Sequence, residues 1–266
     1  MSENSVKHSH GVHVVHGGSR QAAPLLLIHG SGASGACWAP MVPALAERHH
    51  VVTIDLPGLG RSAPVTSYEI PAQAARVAAM IDSLDLGPLT VVGHSSGGYV
   101  ATSLAEQRPE LVKAMVLLST GPRLEALLPQ PAIIRALSGP PLGRLTWALR
   151  SDKLIRKGIR ATCAADVDLP DELIADLRGL PYRDFVAVLR CNGEYITERS
   201  VPDRLAELDV PLLVVFGGAD PRWDPASANE YAVVRGARIE LLPGIGHVTP
   251  LEAPEPSAQL VLQFTA

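Results

Sequence analysis

The strongest constraint on the fold is a series of short apolar runs that alternate with helix-like sequence. Six runs rich in Leu, Ile and Val occupy residues 24–30, 51–58, 89–95, 113–120, 211–220 and 237–244. Nearly continuous apolar strands are expected where helices cover both faces of a parallel sheet. Between the runs, segment 71–86 repeats apolar residues at helical spacing and begins at Pro71. The pattern predicts an α/β fold with a mostly parallel, doubly wound sheet.

One long segment between Thr120 and Pro211 interrupts this alternation. It contains helix-like pieces but no comparable strand, and a structureless loop of that length is uncommon in a compact domain. We therefore predict a helical cap at 122–205, inserted after the sixth strand, and a core of residues 1–121 and 206–266. Near the start of the chain, GVHVVHG predicts an edge strand or hairpin, and its histidines are not expected to bind a metal.

The bulk composition excludes several classes of protein. Of the 266 residues, 47% are hydrophobic and 19% are charged, which is typical of a globular chain. The net charge of −4 gives no basic field for nucleic acid, and no apolar run is long enough to span a membrane. Three widely spaced cysteines and the absence of a signal-like start predict a cytoplasmic protein. No GxxxxGK[ST] loop occurs, and we expect no cofactor.

Ser95 is the candidate nucleophile, because it is the centre of a G-x-S-x-G pattern at 93–97. The pattern requires a strand before the serine and a helix after it, and the sequence on each side supplies them. We expect the backbone N–H of Ser96 to contribute to an oxyanion hole. The candidate for the second donor is the backbone N–H of Ser31, in the loop after the first core strand. The plainer alternative is a glycine-rich turn with an N-cap serine.

A serine nucleophile needs a base that a third group orients. His247 is the candidate base, since it follows the last strand-like run in a loop that can reach the carboxyl edge of the sheet. Asp220 ends the preceding run and is the candidate acid. Asp224 is a rival, although its position before Pro225 is more typical of a helix N-cap.

Together these features resemble the α/β-hydrolase superfamily over nearly the whole chain. The resemblance depends on five motifs, HGSGASGACW (29–38), DLPGLGRS (55–62), GHSSGGY (93–99), FGGAD (216–220) and GIGHVTPLEAPE (244–255). It implies the α/β-hydrolase fold, a triad of Ser95, Asp220 and His247, and an oxyanion hole formed by Ser31 and Ser96. It also implies a serine hydrolase that cleaves a small-molecule carboxylic ester, thioester or lactone through an acyl-enzyme.

Other activities on the same fold stay open at this point. Haloalkane dehalogenases and soluble epoxide hydrolases carry an aspartate as nucleophile, so Ser95 sets them aside. The loop at 29–38 also resembles that of carbon–carbon bond hydrolases, which commonly have Asn where this chain has His94. Cofactor-free perhydrolases show similar GHS-x-GG turns, and a non-hydrolytic receptor or a lyase can keep the same residues.

The cap is expected to shape the substrate pocket. The candidate substrate-binding residues are His29, His94, Trp147, Tyr182, Tyr195 and Trp223, although core packing explains the aromatic ones equally well. Segment 135–160 carries seven cationic residues (Arg135, Arg144, Arg150, Lys153, Arg156, Lys157 and Arg160) and one acid, Asp152. A solvated helix face explains such a run. The alternative is a docking site for an acidic carrier protein or a negatively charged substrate, with binding that weakens in salt.

Overall fold

The structure, a computed structural model, describes residues 5–130, 132, 139 and 142–266. Eight strands form one sheet within these ranges, in the order β1-β2-β4-β3-β5-β6-β7-β8. The strands are β1 (Ser5–Ser9), β2 (Val12–Gly17), β3 (Pro24–Ile28), β4 (His50–Asp55), β5 (Leu89–His94), β6 (Val112–Leu118), β7 (Leu212–Gly217) and β8 (Arg238–Leu242). Strand β2 pairs antiparallel with β1 and β4, and every other pair is parallel. The six predicted strands and the predicted edge hairpin are confirmed.

The helices follow the strands in the predicted alternation. They are α1 (Val42–Leu45), α2 (Ile70–Ser83), α3 (Gly97–Gln107), α4 (Gly143–Ala148), α5 (Asp152–Arg160), α6 (Asp171–Gly179), α7 (Tyr182–Glu198), α8 (Val201–Leu205), α9 (Thr249–Glu252) and α10 (Pro254–Phe264). Helix α2 begins one residue before Pro71, and its periodic residues Ala74, Val77 and Ile81 are buried as predicted. Across the described ranges, no helix has both the length and the apolar character needed to cross a membrane.

Both faces of the sheet are covered, and the side chains of β3 show how the core is divided. Leu26 and Ile28 pack with residues of α2 and α3 on one face. Leu25 and Leu27 pack with Trp38 and residues of α10 on the other. Because successive side chains point to opposite faces, a strand covered on both sides must be apolar at every position. Each fully buried Leu or Ile contributes about 1.5–3 kcal/mol of transfer free energy.

Helices α4 to α8 lie between β6 and β7, in the segment predicted as the cap. A partly buried polar cluster ties this segment to α3. The Tyr195 hydroxyl donates to Glu106 Oε2 at 2.9 Å, and Arg204 donates to Glu106 Oε1 at 3.1 Å. The Arg204 guanidinium also lies 4.0 Å from the centre of the Tyr195 ring. The division at 122–205 stays a prediction, and Arg135 lies outside the described residues.

Candidate active site

The turn between β5 and α3 holds Ser95 in a left-handed backbone conformation, with φ of +52°. Two glycines permit this turn. A Cβ atom on Gly97 would lie 2.3 Å from the carbonyl oxygen of Ile28, and one on Gly93 would lie 2.6 Å from the Cα of Gly98. Only residues without a side chain fit at such separations. The turn therefore presents the Ser95 side chain at the carboxyl edge of the sheet, as the G-x-S-x-G pattern predicts.

Three predicted residues from separate loops meet at this edge. His247 Nε2 lies 3.0 Å from Ser95 Oγ, and His247 Nδ1 lies 2.9 Å from Asp220 Oδ2. The other carboxylate oxygen of Asp220 accepts the backbone N–H groups of Arg222 and Trp223, at 2.7 and 3.1 Å. With Nδ1–H donated to Asp220, the lone pair of Nε2 faces the serine hydroxyl. A histidine in that tautomer can accept the serine proton.

The rival acid Asp224 serves the role that its sequence context predicts. Its side chain accepts the N–H of Ala226 at 2.9 Å and caps the short helix that begins at Pro225. Asp224 is exposed, whereas Asp220 is buried beside His247. The acid that contacts the imidazole is therefore Asp220.

Glu252 fixes the loop that carries His247, and the sequence analysis assigned it no role. Its carboxylate accepts the backbone N–H groups of Gly246 (2.9 Å), Val248 (3.0 Å), Ala164 (2.7 Å) and Ala165 (3.2 Å). The backbone N–H of His247 also donates to the carbonyl oxygen of Thr162 at 2.9 Å. These bonds join the base to the segment after α5. The sequence feature that could have identified Glu252 is its position five residues after His247 in GIGHVTPLEAPE.

His29 and His94 lie behind the site and brace its loops. His94 Nε2 donates to the carbonyl oxygen of His247 at 3.0 Å. Burial, with the nearby charge of His247 as a second cause, lowers the pKa of His94 to about 3. His29 accepts the Leu56 N–H at 2.9 Å and donates to the Gly30 carbonyl at 2.8 Å, and burial lowers its pKa. Both imidazoles are neutral and neither is in the described cavity lining, so their contact with substrate stays a prediction.

The two predicted oxyanion donors are neighbours, but one of them is occupied by a side chain. The Ser31 N–H donates to Ser96 Oγ at 2.8 Å, and the two serine hydroxyl oxygens lie 2.8 Å apart. Asn192, on α7, donates to Ser31 Oγ at 2.6 Å. The Ser96 side chain must therefore rotate before the Ser31 N–H can bind a substrate oxygen. Sequence spacing places the two backbones together and carries no information on this rotamer.

A cavity of about 440 Å³ opens beside Ser95. Its apolar walls are Leu124, Leu127, Leu128, Pro129, Leu189, Ile196 and Trp223, and its polar ones include Ser31, Ser95, Ser96, Tyr99, Gln130, Asn192 and Arg222. An apolar pocket with a few polar groups is typical of a small-molecule site. Trp223 is the one candidate pocket aromatic that the described lining includes.

The remaining candidate aromatics pack within the cap segment. Trp147 stacks on Phe185 with the ring centres 4.4 Å apart, and its Nε1–H donates to the Leu180 carbonyl at 2.8 Å. The Tyr182 ring lies 6.0 Å from Trp147. Tyr195 is committed to Glu106. These three side chains are absent from the described lining of the cavity, and their contact with substrate stays a prediction.

Much of the basic charge in the cap segment is satisfied internally. Arg150 donates to the carbonyl oxygens of Leu177 (2.9 Å), Arg178 (2.8 Å) and Leu180 (2.8 Å). Arg156 and Arg160 pair with Asp171 and Asp166. Arg144, Lys153 and Lys157 are exposed and have no ion pair within the described ranges. These three cations are available for an external partner.

The sequence of this chain matches one protein family over most of its length. The model of the alpha/beta hydrolase family matches residues 25–260. A pimeloyl-(acyl-carrier protein) methyl ester esterase from Neisseria meningitidis serogroup C is 30% identical over 242 residues, which cover 90% of this chain and 91% of that protein.

Solved structures share the fold over almost the full chain. A bacterial membrane phospholipase A superposes with a TM-score of 0.76 at 26% identity, covering 99% of this chain and 86% of the other. A variant of the N-acyl homoserine lactonase AidH superposes with a TM-score of 0.80 at 21% identity, covering 100% and 96%. At 21% sequence identity, the likeness to the lactonase shows a common fold and nothing more.

The buried neutral His94 predicts a loss of stability in acid. The unfolded histidine binds a proton near pH 6.5 and the folded one near pH 3, so the unfolded state gains protons first as the pH falls. Between pH 7.5 and 5.5 this should remove about 1.4 kcal/mol from the free energy of unfolding. Urea unfolding should measure the free energy of unfolding at both pH values. The loss between them should be smaller by that amount in His94→Asn than in the unmodified protein.

The exposed His10→Asn variant is the matched control and should keep the pH dependence of the unmodified protein. An identical loss in His94→Asn and in the unmodified protein would contradict the assignment of a neutral, proton-excluding His94.

Proposed function

This chain belongs to the alpha/beta hydrolase family, and we propose that it hydrolyses carboxylic esters through an acyl-enzyme on Ser95. It is an ester-cleaving hydrolase, and its relatives include a methyl ester esterase. The observation that carries the proposed residue roles is the hydrogen-bonded chain from Ser95 through His247 to Asp220, with separations of 3.0 and 2.9 Å. Ser95, at one end of these hydrogen bonds, lines the apolar cavity.

In the first half of the proposed reaction, Ser95 Oγ attacks the ester carbonyl while His247 Nε2 takes its proton. Asp220 keeps the imidazole oriented and stabilises the imidazolium that forms. The N–H groups of Ser31 and Ser96 hold the oxyanion, and removal of one such donor in a comparable enzyme costs about 3–4 kcal/mol. His247 then returns the proton to the leaving alcohol or thiol.

The second half of the reaction releases the acyl group. Water enters where the leaving group departed, and neutral His247 takes its proton as it attacks the acyl-enzyme. The tetrahedral intermediate uses the same oxyanion donors. Its collapse restores Ser95 and frees the carboxylic acid, so the base and the hole each act twice in a cycle.

The proposed partner is an acidic carrier protein that delivers the acyl group. Three exposed cations support this proposal, Arg144 near the start of α4 and Lys153 with Lys157 on one side of α5. The same segment also exposes two apolar side chains, Leu145 and Leu149. An acidic protein would find both complementary charge and apolar contact there. The esterase from Neisseria meningitidis is named for a substrate attached to an acyl-carrier protein.

Labelling by a fluorophosphonate probe tests the proposed nucleophile. The serine oxygen displaces fluoride from phosphorus, so a single mass increase should map to the peptide that contains Ser95. His247→Ala should slow labelling strongly because the hydroxyl loses its base. Ser95→Ala should reduce kcat for any hydrolysed ester by about 10⁴-fold or more, since nucleophile and base act as a unit.

Circular dichroism and thermal unfolding of both variants provide the control for folding. Labelling of Ser96 in place of Ser95, or full turnover by folded Ser95→Ala, would refute the assignment.

Salt and charge reversal test the carrier partner. The double variant Lys153→Glu, Lys157→Glu should raise KM for an acyl-carrier-protein ester by about tenfold at low salt, because two attractions become repulsions. The difference should shrink above roughly 0.5 M salt, where screening is nearly complete. Steady-state kinetics at several salt concentrations would measure both effects.

Lys113→Glu is the matched control, because Lys113 is exposed at the amino end of β6, away from the site. A similar rise in KM for the control, or a KM insensitive to salt, would rule out docking at α5.

A further inference from the structure

The cavity beside Ser95 contains a charge that the proposed chemistry does not use. Arg222 is the one charged residue in its described lining, and the surrounding walls include Leu124, Leu127 and Leu128. Arg222 follows Asp220 by two residues and is half-buried. A cation in a mostly apolar pocket attracts an anion strongly, because little water is present to screen it.

The backbone of Arg222 is fully engaged, whereas its guanidinium has no acidic partner in the described ranges. Its N–H donates to Asp220 Oδ1 at 2.7 Å, and its carbonyl oxygen accepts the Leu128 N–H at 2.8 Å. Arg204, another half-buried arginine, is by contrast neutralised by Glu106. The main chain is thus fixed by the active-site loop, and the side-chain charge is available to a ligand.

A second donor lines the same cavity. The Tyr99 side chain is only 2% exposed, and its hydroxyl has no hydrogen-bond partner among the described residues. Burial raises the pKa of Tyr99, so the hydroxyl stays protonated and can donate. Tyr99 and Arg222 line the same cavity, and the charge of Arg222 opposes the rise in the pKa of Tyr99. A hydroxyl on a residue that lines the cavity, without a partner in the described ranges, can donate to a ligand oxygen.

We infer that Arg222 and Tyr99 form an anion-binding subsite that selects esters bearing a carboxylate or a phosphate away from the scissile bond. The inference rests on the proposed function, because the subsite and Ser95 share one cavity. The planar guanidinium can bind two oxygens of such a group, and the tyrosine can donate to one of them. The apolar walls hold the chain that joins the anion to the ester.

Two matched substrate pairs test the subsite and identify its anion. Monomethyl adipate differs from dimethyl adipate by one carboxylate, and S-hexanoyl phosphopantetheine differs from S-hexanoyl pantetheine by one phosphate. In at least one pair, kcat/KM should be about tenfold higher for the charged member, equivalent to about 1.4 kcal/mol. The pair that shows the preference distinguishes a terminal carboxylate from a prosthetic-group phosphate.

Variants connect this preference to the two residues. Arg222→Gln retains the backbone N–H that Asp220 accepts, and it should reduce the charged-to-neutral ratio about tenfold. Tyr99→Phe should reduce the ratio about threefold. Arg235→Gln, which removes an exposed cation outside the cavity lining, should keep the ratio. Comparison of ratios cancels the intrinsic reactivity of each ester.

Two outcomes would overturn the subsite. One is a ratio at or below one for both pairs in the unmodified protein, and the other is a ratio that Arg222→Gln leaves unaltered. Failure of the proposed function gives a different result, namely no Ser95-dependent turnover of either neutral ester. In that case the subsite is tested by calorimetry, which measures the binding of monomethyl adipate and of phosphopantetheine. Binding of either that Arg222→Gln abolishes supports the subsite, and no binding, or equal binding by the variant, overturns it.

Discussion

The close contact between the β5–α3 turn and the end of β3 is the constraint on which the site depends. At Gly97 the turn approaches the Ile28 carbonyl so closely that a Cβ atom would overlap it. This contact places the strained Ser95 beside the loop that contains Ser31. The strain of a left-handed serine costs of order 1–3 kcal/mol, which the buried β3 and β5 on either side can offset. A loosely packed turn would relax to ordinary backbone angles and withdraw the hydroxyl from His247.

The cap segment contacts two loops of the site, the one that contains Ser31 and the one that contains His247. Asn192 holds the Ser31 hydroxyl, while Thr162 accepts the His247 N–H. Glu252 clamps the histidine loop to the segment that follows α5. Any displacement of the cap helices would therefore alter both the oxyanion loop and the base. The position of this segment and the geometry of the two loops are physically coupled for this reason.

Backbone placement could be predicted from the sequence, whereas side-chain partners could not. Apolar runs and the turn residues after them determine which loops reach the carboxyl edge, and this was sufficient to bring Ser95, Asp220 and His247 together. The contact of Ser96 Oγ with the Ser31 N–H depends on a rotamer, which no spacing encodes. His94 and Tyr195 were expected in the pocket because of their chemistry, but long-range partners, the His247 carbonyl and Glu106, hold them elsewhere. Arg222 stood beside the predicted acid, and only the folded cavity shows that its charge has no acidic partner among the described residues.

The most direct test of the central claim is a crystal structure of the protein after reaction with a phosphonate ester. The account predicts a covalent bond from Ser95 Oγ to phosphorus and a phosphonyl oxygen about 2.7–3.1 Å from both the Ser31 and Ser96 nitrogens. It also predicts that the Ser96 hydroxyl has rotated away from the Ser31 N–H. A phosphonyl oxygen directed elsewhere, with Ser96 Oγ still bound to Ser31, would contradict the proposed oxyanion hole. An adduct on any other residue would contradict the proposed nucleophile.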